Sequence, residues 1–231
     1  MGTDILKNVA RVRERIEAAC RRAGGRPTES VRLVAATKTV EPDRLREAYA
    51  AGVREFGENR VQEAEAKVAV LRDLSITWHM IGHVQTNKAR AVSELFDWVH
   101  SVDSLRVAEK LSSARDGQKK VPVLIEVNLG GEGTKSGAQE TEAARLAESL
   151  SRLSGLSLRG LMAVPPFFND CEMARPYFRR LRRLAQQIES LRLPGVAMTE
   201  LSMGMSQDFE IAIEEGSTII RVGTAIFGPR S

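Results

Sequence analysis

Lys38 is the first residue whose position suggests chemistry. It follows the apolar run LVAA at residues 33–36, which is typical of a strand that is buried on both faces. A lysine amine that is partly removed from water has a lowered pKa and can form a Schiff base with an aldehyde. The alternative is a lysine at a strand end that extends its ammonium group into water. Position alone favours this alternative, so the chemical interpretation needs a companion group.

A companion lies near the C-terminus, where Gly223 and Thr224 follow a strand-like run, IIRV. Glycine has no Cβ and lets backbone N–H groups approach an anion, and the Thr224 hydroxyl adds a donor. Ser206, in the segment LSMGMS, adds a second hydroxyl. Each of these residues alone is compatible with an ordinary turn after a strand. Together with Lys38, they predict a site for a compound that carries both an aldehyde and a phosphate.

Short β-rich runs alternate with amphipathic helical patterns from residue 31 onward, as in parallel β/α units. The predicted strands are Arg32–Lys38, Glu55–Asn59, Thr77–Gly82, Trp98–Asp103, Val121–Asn128, Ser157–Val164, Met198–Gly204 and Ile219–Gly223. The predicted helices between them are Asp43–Ala51, Arg60–Leu74, Asn87–Leu95, Leu105–Arg115, Glu140–Leu153, Met173–Leu191 and Asp208–Glu215. We expect an additional helix, Ile5–Arg22, to cover the lower end of the fold. The helix after the last strand is predicted to be short or missing.

Eight such units in 231 residues predict one closed (β/α)8 TIM barrel, a single domain over residues 1–231. A doubly wound sheet usually has fewer strands and begins with a glycine-rich turn, whereas the first turn here reads TKTV. Chemistry in barrels gathers at the C-terminal ends of the strands, and the loops after strands seven and eight are the usual phosphate site. The fold therefore brings Lys38 close to Ser206, Gly223 and Thr224.

The chain resembles a known family, the pyridoxal-phosphate homeostasis proteins of alanine-racemase fold. The segments that carry the resemblance are LVAATKTV, FGENRVQEAEAK, WHMIGHVQTNK, HSVDS, IEVNLGGEGTKSG, GLMAVPP and LSMGMSQDFEIAIEEGSTIIRVGTAIFG. They extend along nearly the whole chain and are highly specific together. One departure is His83, where the family more often has leucine, and it affects no implied cofactor contact.

The resemblance implies that the cofactor is pyridoxal 5'-phosphate, held as a Schiff base on Lys38. It also implies that Arg221 approaches the pyridine nitrogen and that Asn59, in the GEN motif, lines the ring pocket. The residues implied to hold the phosphate are Ser206, Gly223 and Thr224.

Two further residues keep two interpretations each. His79 is a candidate cofactor contact, but a strand histidine beside Trp78 is more often a core residue with satisfied hydrogen bonds. Lys135, in the segment GEGTKSG, either meets an incoming anion or belongs to an ordinary surface loop.

The resemblance implies a protein of pyridoxal phosphate homeostasis, which binds the cofactor reversibly and passes it to apo forms of cofactor-dependent enzymes. The alternative is an amino-acid racemase or decarboxylase of the same fold. A racemase needs a second acid–base group on the ring face opposite the lysine, commonly a tyrosine from another domain. The sequence pattern predicts no second domain. Tyr49 and Tyr177 fall in helical stretches outside the predicted barrel mouth.

Arg221 also argues against committed catalysis, because a guanidinium does not give up its proton to the ring nitrogen and so weakens the ring as an electron sink. We therefore assign no catalytic residue.

Composition raises a third hypothesis, a nucleic-acid-binding module. The formal net charge is +4, and the run RRLRRL begins at Arg179. Leu181 and Leu184 give this run an apolar face, which is typical of a helix with one solvated side. Aromatic residues make up only 5% of the chain, too few to favour base stacking. We expect no nucleic-acid partner.

The remaining expectations concern location and assembly. The N-terminal sequence scatters charges where a signal peptide needs an apolar segment, and no run approaches the ~20 apolar residues of a membrane span. Cys20 and Cys171 lack the spacing of a metal site. We expect a cytoplasmic monomer that binds no membrane and no metal.

Overall fold

The computed structural model describes residues 4–115, 119–130 and 136–229, and Lys135 lies outside these ranges. Eight parallel strands in the described part form a closed barrel: the first pairs with the second and the eighth, and the fourth pairs with the fifth. The barrel strands are Arg32–Ala36, Glu55–Glu58, Thr77–Met80, Trp98–Val102, Val121–Asn128, Leu156–Met162, Val196–Ser202 and Ile219–Val222. A two-residue strand, Ala138–Gln139, pairs with the end of the fifth. The predicted (β/α)8 barrel is confirmed.

Helices follow the strands around the outside of the barrel. The α-helices are Ile5–Arg22, Pro42–Ala50, Val61–Val70, Ala89–Leu95, Leu105–Ser113, Ala143–Ser151, Arg175–Ser190, Phe209–Glu214 and Thr224–Phe227. Short 3-10 helices are Thr28–Ser30, Thr86–Lys88, Glu140–Glu142 and Cys171–Ala174. Their apolar faces cover the outer side of the barrel with large side chains that are fully buried, such as Phe178 and Phe209. No described helix is both long and apolar enough to cross a membrane.

The N-terminal helix Ile5–Arg22 is present as predicted, but its place differs from the expected one. Asp4 caps it by accepting a hydrogen bond from the Lys7 N–H at 3.1 Å. The helix packs laterally, with an ion pair of 2.7 Å between Arg15 and Glu210 and a hydrogen bond of 2.9 Å from Asn8 to the Ile226 carbonyl. It therefore stands beside the short helix after the eighth strand, where a full eighth helix would pack, rather than beneath the barrel.

The barrel interior is divided between an apolar cluster and a polar one. Val34, Leu124, Met162 and Ile219 form a small apolar cluster with the partly buried Trp98. The polar cluster contains buried residues from four strands, namely His79 on the third, His100 on the fourth, Ser202 on the seventh and Arg221 on the eighth. The fourth and seventh strands are not neighbours, so the contact between His100 and Ser202 must cross the interior. Barrel interiors are more often filled by branched apolar side chains.

The basic run on helix Arg175–Ser190 has the predicted apolar face, since Leu181 and Leu184 are buried. Within the run, Arg179 pairs with Glu215 at 3.0 Å, and Arg180 pairs with Glu140. These ion pairs support the interpretation of the run as one side of a surface helix.

Candidate functional site

A cavity of about 780 Å³ opens where the carboxyl ends of the strands meet. Here it is called the mouth cavity. Its lining includes six of the residues singled out from the sequence, namely Lys38, Asn59, Ser206, Arg221, Gly223 and Thr224. Its volume lies within the range of about 300–1,000 Å³ that is usual for cofactor and small-molecule sites. The predicted site residues therefore come together in one place, with the exception of His79 and of Lys135, which is not described.

Lys38 lies just past the end of the first strand, and a buried cluster fixes the backbone beside it. The Thr37 hydroxyl donates to a carboxylate oxygen of Glu58 at 2.5 Å. The Lys67 ammonium group donates to the same oxygen and to the Thr37 carbonyl, each at 2.7 Å. Thr39 then has φ of 62°, so the chain leaves the sheet at Lys38. The cluster holds the ends of the first two strands together.

Asn59 reaches the mouth cavity from the end of the second strand. A Cβ added at Gly82, in the next loop, would stand 2.3 Å from the Asn59 carbonyl oxygen and 2.7 Å from its Cα. Only glycine allows the two loops to approach so closely. The glycine of the WHMIG segment therefore positions Asn59.

Hydrogen-bond donors gather at the side of the cavity formed by the last two loops. The Ser206 hydroxyl oxygen accepts hydrogen bonds from the Gly223 and Ala225 N–H groups, each at 3.2 Å. A Cβ at Gly223 would lie 3.1 Å from the Ala36 carbonyl oxygen, tighter than an ordinary contact. Backbone N–H groups and the Ser206 and Thr224 hydroxyls thus provide the donor chemistry that a phosphate requires.

Arg221 lines the cavity from the eighth strand and is almost fully buried. Its guanidinium donates to the Ala163 carbonyl at 3.0 Å and to the Ser202 hydroxyl oxygen. Burial lowers the pKa of Arg221 to about 10, while Glu126 and Asp208 act in the opposite direction. Burial also raises the pKa of Glu126 to about 7 against the effect of Arg221. At neutral pH, Arg221 remains a charged hydrogen-bond donor.

His79 is not among the residues that line the mouth cavity. It is fully buried inside the barrel, with Nδ1 at 3.0 Å from His100 Nε2 and Nε2 at 3.0 Å from a carboxylate oxygen of Glu55. Its ring stacks on Trp98 at a centroid distance of 6.1 Å. Burial lowers the pKa of His79, which favours the neutral ring. These contacts match the second interpretation, a core histidine, whose Nδ1 has a hydrogen-bond partner in His100 and whose Nε2 faces the Glu55 carboxylate without hydrogen-bond geometry.

Several residues of the site were not identified from the sequence. The segment Val164–Phe168 forms an apolar wall, and Cys171 and Asp208 also line the cavity. The motif GLMAVPP leads directly into that wall, so a signal for it was present in the chain. The buried partners Glu58 and Lys67 lie within the motif FGENRVQEAEAK, but the motif did not indicate that these two charges would be buried against each other.

A second, more polar cleft of about 620 Å³ adjoins the mouth cavity, and Lys38 and Asn59 line both. Arg60 and Lys88 add positive charge to this polar cleft, and His83 lies on its edge. The described residues contain no group of three histidine, cysteine, aspartate or glutamate side chains that could hold a metal ion.

Comparison with known proteins identifies the family. The model of the alanine racemase N-terminal domain matches residues 8–231. The chain belongs to this family. A curated member from Aquifex aeolicus, a pyridoxal phosphate homeostasis protein, is 44% identical over 225 residues, which are 97% of each chain. The protein of the same name from Pseudomonas aeruginosa is 44% identical over 227 residues, covering 98% of this chain and 96% of its own.

A solved structure has a closely similar fold. PipY of Synechococcus elongatus, determined with pyridoxal phosphate bound, superimposes with a TM-score of 0.85 at 39% identity. The match covers 97% of this chain and all of PipY. The resemblance derived from the motifs is therefore confirmed along the whole barrel.

Proposed function

We propose that this protein binds pyridoxal 5'-phosphate in the mouth cavity and serves in homeostasis of that cofactor. The observation that carries the proposal is that one cavity is lined by a lysine, by a cluster of N–H and hydroxyl donors, and by a buried arginine. The names and bound ligand of the relatives point to the same compound.

The residues present fit the chemical groups of this cofactor. Ser206, Thr224 and the backbone N–H groups around Gly223 suit its phosphate, and the apolar wall Val164–Phe168 suits a ring face. The Lys38 amine is the group that takes the aldehyde as a Schiff base. Asn59 stands beside Lys38, at the edge of the ring pocket.

The role of Arg221 distinguishes a carrier from a catalyst. When bound, pyridoxal phosphate can draw electrons from an attached amino acid, most effectively with a protonated ring nitrogen. Arg221 stays a donor at neutral pH and gives the ring nitrogen no proton. The residues of this chain therefore hold the cofactor more readily than they assist a carbanion.

The tyrosines also support the carrier over a racemase. Tyr49 packs under the Arg54 guanidinium at 3.9 Å from its ring centre, away from the mouth cavity. Tyr177 packs against Phe168 at a centroid distance of 5.7 Å, and neither tyrosine lines the cavity. Both are accounted for by packing against neighbouring side chains.

The finer parts of the proposal are the cellular setting and the partners. We place the protein in the cytoplasm as a monomer of one domain, with apo forms of cofactor-dependent enzymes as recipients. These assignments extend the homeostasis function for which the relatives are named.

Transfer and turnover measurements separate the two functions. Protein loaded with pyridoxal phosphate is mixed with an apo-enzyme whose activity reports the arrival of the cofactor, and the same loaded protein is incubated with amino acids in deuterated water. We expect measurable transfer, and α-carbon deuterium exchange near background, far below the roughly 1–1,000 turnovers per second of enzymes. Rapid exchange that disappears in Lys38→Ala would replace the carrier by a racemase or related enzyme.

A further inference from the structure

A continuous series of buried polar contacts leads from Arg221 through the barrel interior to the opposite end. Arg221 donates to Ser202, whose hydroxyl lies 2.9 Å from His100 Nδ1. His100 Nε2 lies 3.0 Å from His79 Nδ1, and His79 Nε2 lies 3.0 Å from Glu55. We call these five residues the interior chain. Apart from Glu55, every member is at least 95% buried.

The proton positions in the interior chain follow from its two ends. Arginine only donates hydrogen bonds, so the Ser202 oxygen accepts from Arg221 and its own proton is available for His100 Nδ1. A neutral His100 that accepts at Nδ1 carries its proton on Nε2 and donates to His79 Nδ1. By the same rule, His79 carries its proton on Nε2, where the Glu55 carboxylate at 3.0 Å stabilises it by its charge, although the contact lacks hydrogen-bond geometry. The links from Arg221 to His79 then each have one donor and one acceptor, and the last contact places the His79 Nε2 proton beside the Glu55 carboxylate.

The opposite proton order, with both histidines protonated on Nδ1, is unfavourable. It would place an unprotonated His79 Nε2 against the Glu55 carboxylate, two acceptors at 3.0 Å, or it would require a charged His79 ring. Burial lowers the pKa of both histidines, and the neighbouring His79, Arg221 and Arg32 lower that of His100 further. Glu55 and Asp97 act the other way on His79, but burial is the larger effect. Both rings are therefore neutral at pH 7.

The far end of the interior chain is held in place by charged groups. Arg32 lies 3.7 Å from Glu55 and 3.2 Å from Glu200, and its guanidinium stacks on Trp98 at 4.2 Å from the ring centre. Trp98 in turn stacks on His79. The Glu55 acceptor is thus fixed at the end of the barrel where the first and second strands begin.

We propose that Glu55, His79, His100 and Ser202 are positioning residues, which order the protons of the interior chain toward Glu55 and so hold the Arg221 guanidinium in the mouth cavity. The importance of this for the cofactor rests on the proposed function, in which Arg221 faces the pyridine nitrogen. The predicted proton positions on the two histidines do not depend on the proposed function. The interior chain also explains why the barrel carries two buried histidines at positions where apolar side chains are usual.

Nitrogen-15 NMR of the histidine side chains in the cofactor-free protein tests the proton order directly. We expect His79 and His100 both to be protonated on Nε2 and unprotonated on Nδ1 at pH 7. Glu55→Ala removes the final acceptor and should change the tautomer population of His100, although Glu55 does not touch that ring. Glu55→Gln keeps an acceptor oxygen and should restore the wild-type pattern. The proposal would be overturned if either histidine carried its proton on Nδ1 or were charged at pH 7. It would also be overturned if the His100 signal were the same in Glu55→Ala as in the wild type.

A second experiment tests the link to the cavity. Ser202→Ala interrupts the interior chain beside Arg221. The matched control Ser217→Ala removes another fully buried hydroxyl, whose hydrogen bonds within the described part of the chain go to backbone carbonyls. We expect pyridoxal phosphate to dissociate about tenfold faster from Ser202→Ala than from the control, with a shifted absorption band. Equal rates and spectra would remove the positioning role. If the wild-type protein itself bound no pyridoxal phosphate, the proposed function would fail, and the NMR result would stand separately.

Discussion

Glu126 shows how the environment of one residue affects stability. Burial raises its pKa from 4.5 to about 7, so the folded protein binds a proton more tightly than the unfolded chain does. The stabilisation that this gives is complete below pH 4.5 and is lost as the pH rises through about 7. The free energy of unfolding should fall by at most about 3 kcal/mol across this interval because of Glu126.

Urea unfolding of the cofactor-free protein at pH 5 and pH 8 measures this effect. Glu126→Gln cannot ionise, so its stability should change less between the two pH values than that of the wild type, and it should be the more stable protein at pH 8. Glu94→Gln serves as a control because Glu94 lies on the surface and pairs with Arg90. An equal pH dependence in wild type and Glu126→Gln would show that Glu126 ionises normally.

The phosphate contacts can be tested with two hydroxyls. Ser206→Ala with Thr224→Val should weaken retention of pyridoxal phosphate more than either change alone, because each removes one donor to a charged acceptor, worth about 1.5–3 kcal/mol. Equilibrium dialysis of the three variants gives the affinities. Unchanged affinity in the double variant would place the phosphate elsewhere.

At the scale of secondary-structure elements, the N-terminal helix substitutes for a full eighth barrel helix. Ile16 is buried in its contact with the barrel helices, whereas Leu6 on the same helix is 66% exposed. Ile16→Ala should therefore reduce the free energy of unfolding by about 2–4 kcal/mol, and Leu6→Ala should change it little. Chemical denaturation compares the two. Similar small losses would mean that the helix is not part of the cooperative fold.

Element boundaries show what the sequence can reveal. The strand Val121–Asn128 and the helix Ile5–Arg22 match their predicted limits, because apolar periodicity covers their full length. The first strand ends at Ala36 rather than Lys38, since Thr39 adopts a positive φ that no composition rule indicates. The lateral place of the N-terminal helix depends on partners more than 190 residues away, such as Glu210, and could not be derived from local pattern.

At the scale of the whole molecule, barrel closure is what makes the site predictable. Once strands one and eight are neighbours, Lys38 and Gly223 must lie at the same mouth, and the family motifs supply Asn59 and Arg221. The interior chain could not be predicted in the same way. Its contact between His100 and Ser202 joins residues that are 102 positions apart in sequence and lie on strands that are not paired.

The most direct test of the central claim, that Lys38 holds pyridoxal phosphate, is reduction of the loaded protein with borohydride followed by peptide mapping. Reduction makes the Schiff base permanent, so the modified lysine can be identified by mass. We predict the pyridoxyl group on Lys38, no such adduct in Lys38→Ala, and normal labelling in Lys88→Ala, which alters a second lysine of the adjoining polar cleft. A pyridoxyl group on a different lysine of the wild-type protein would contradict the account.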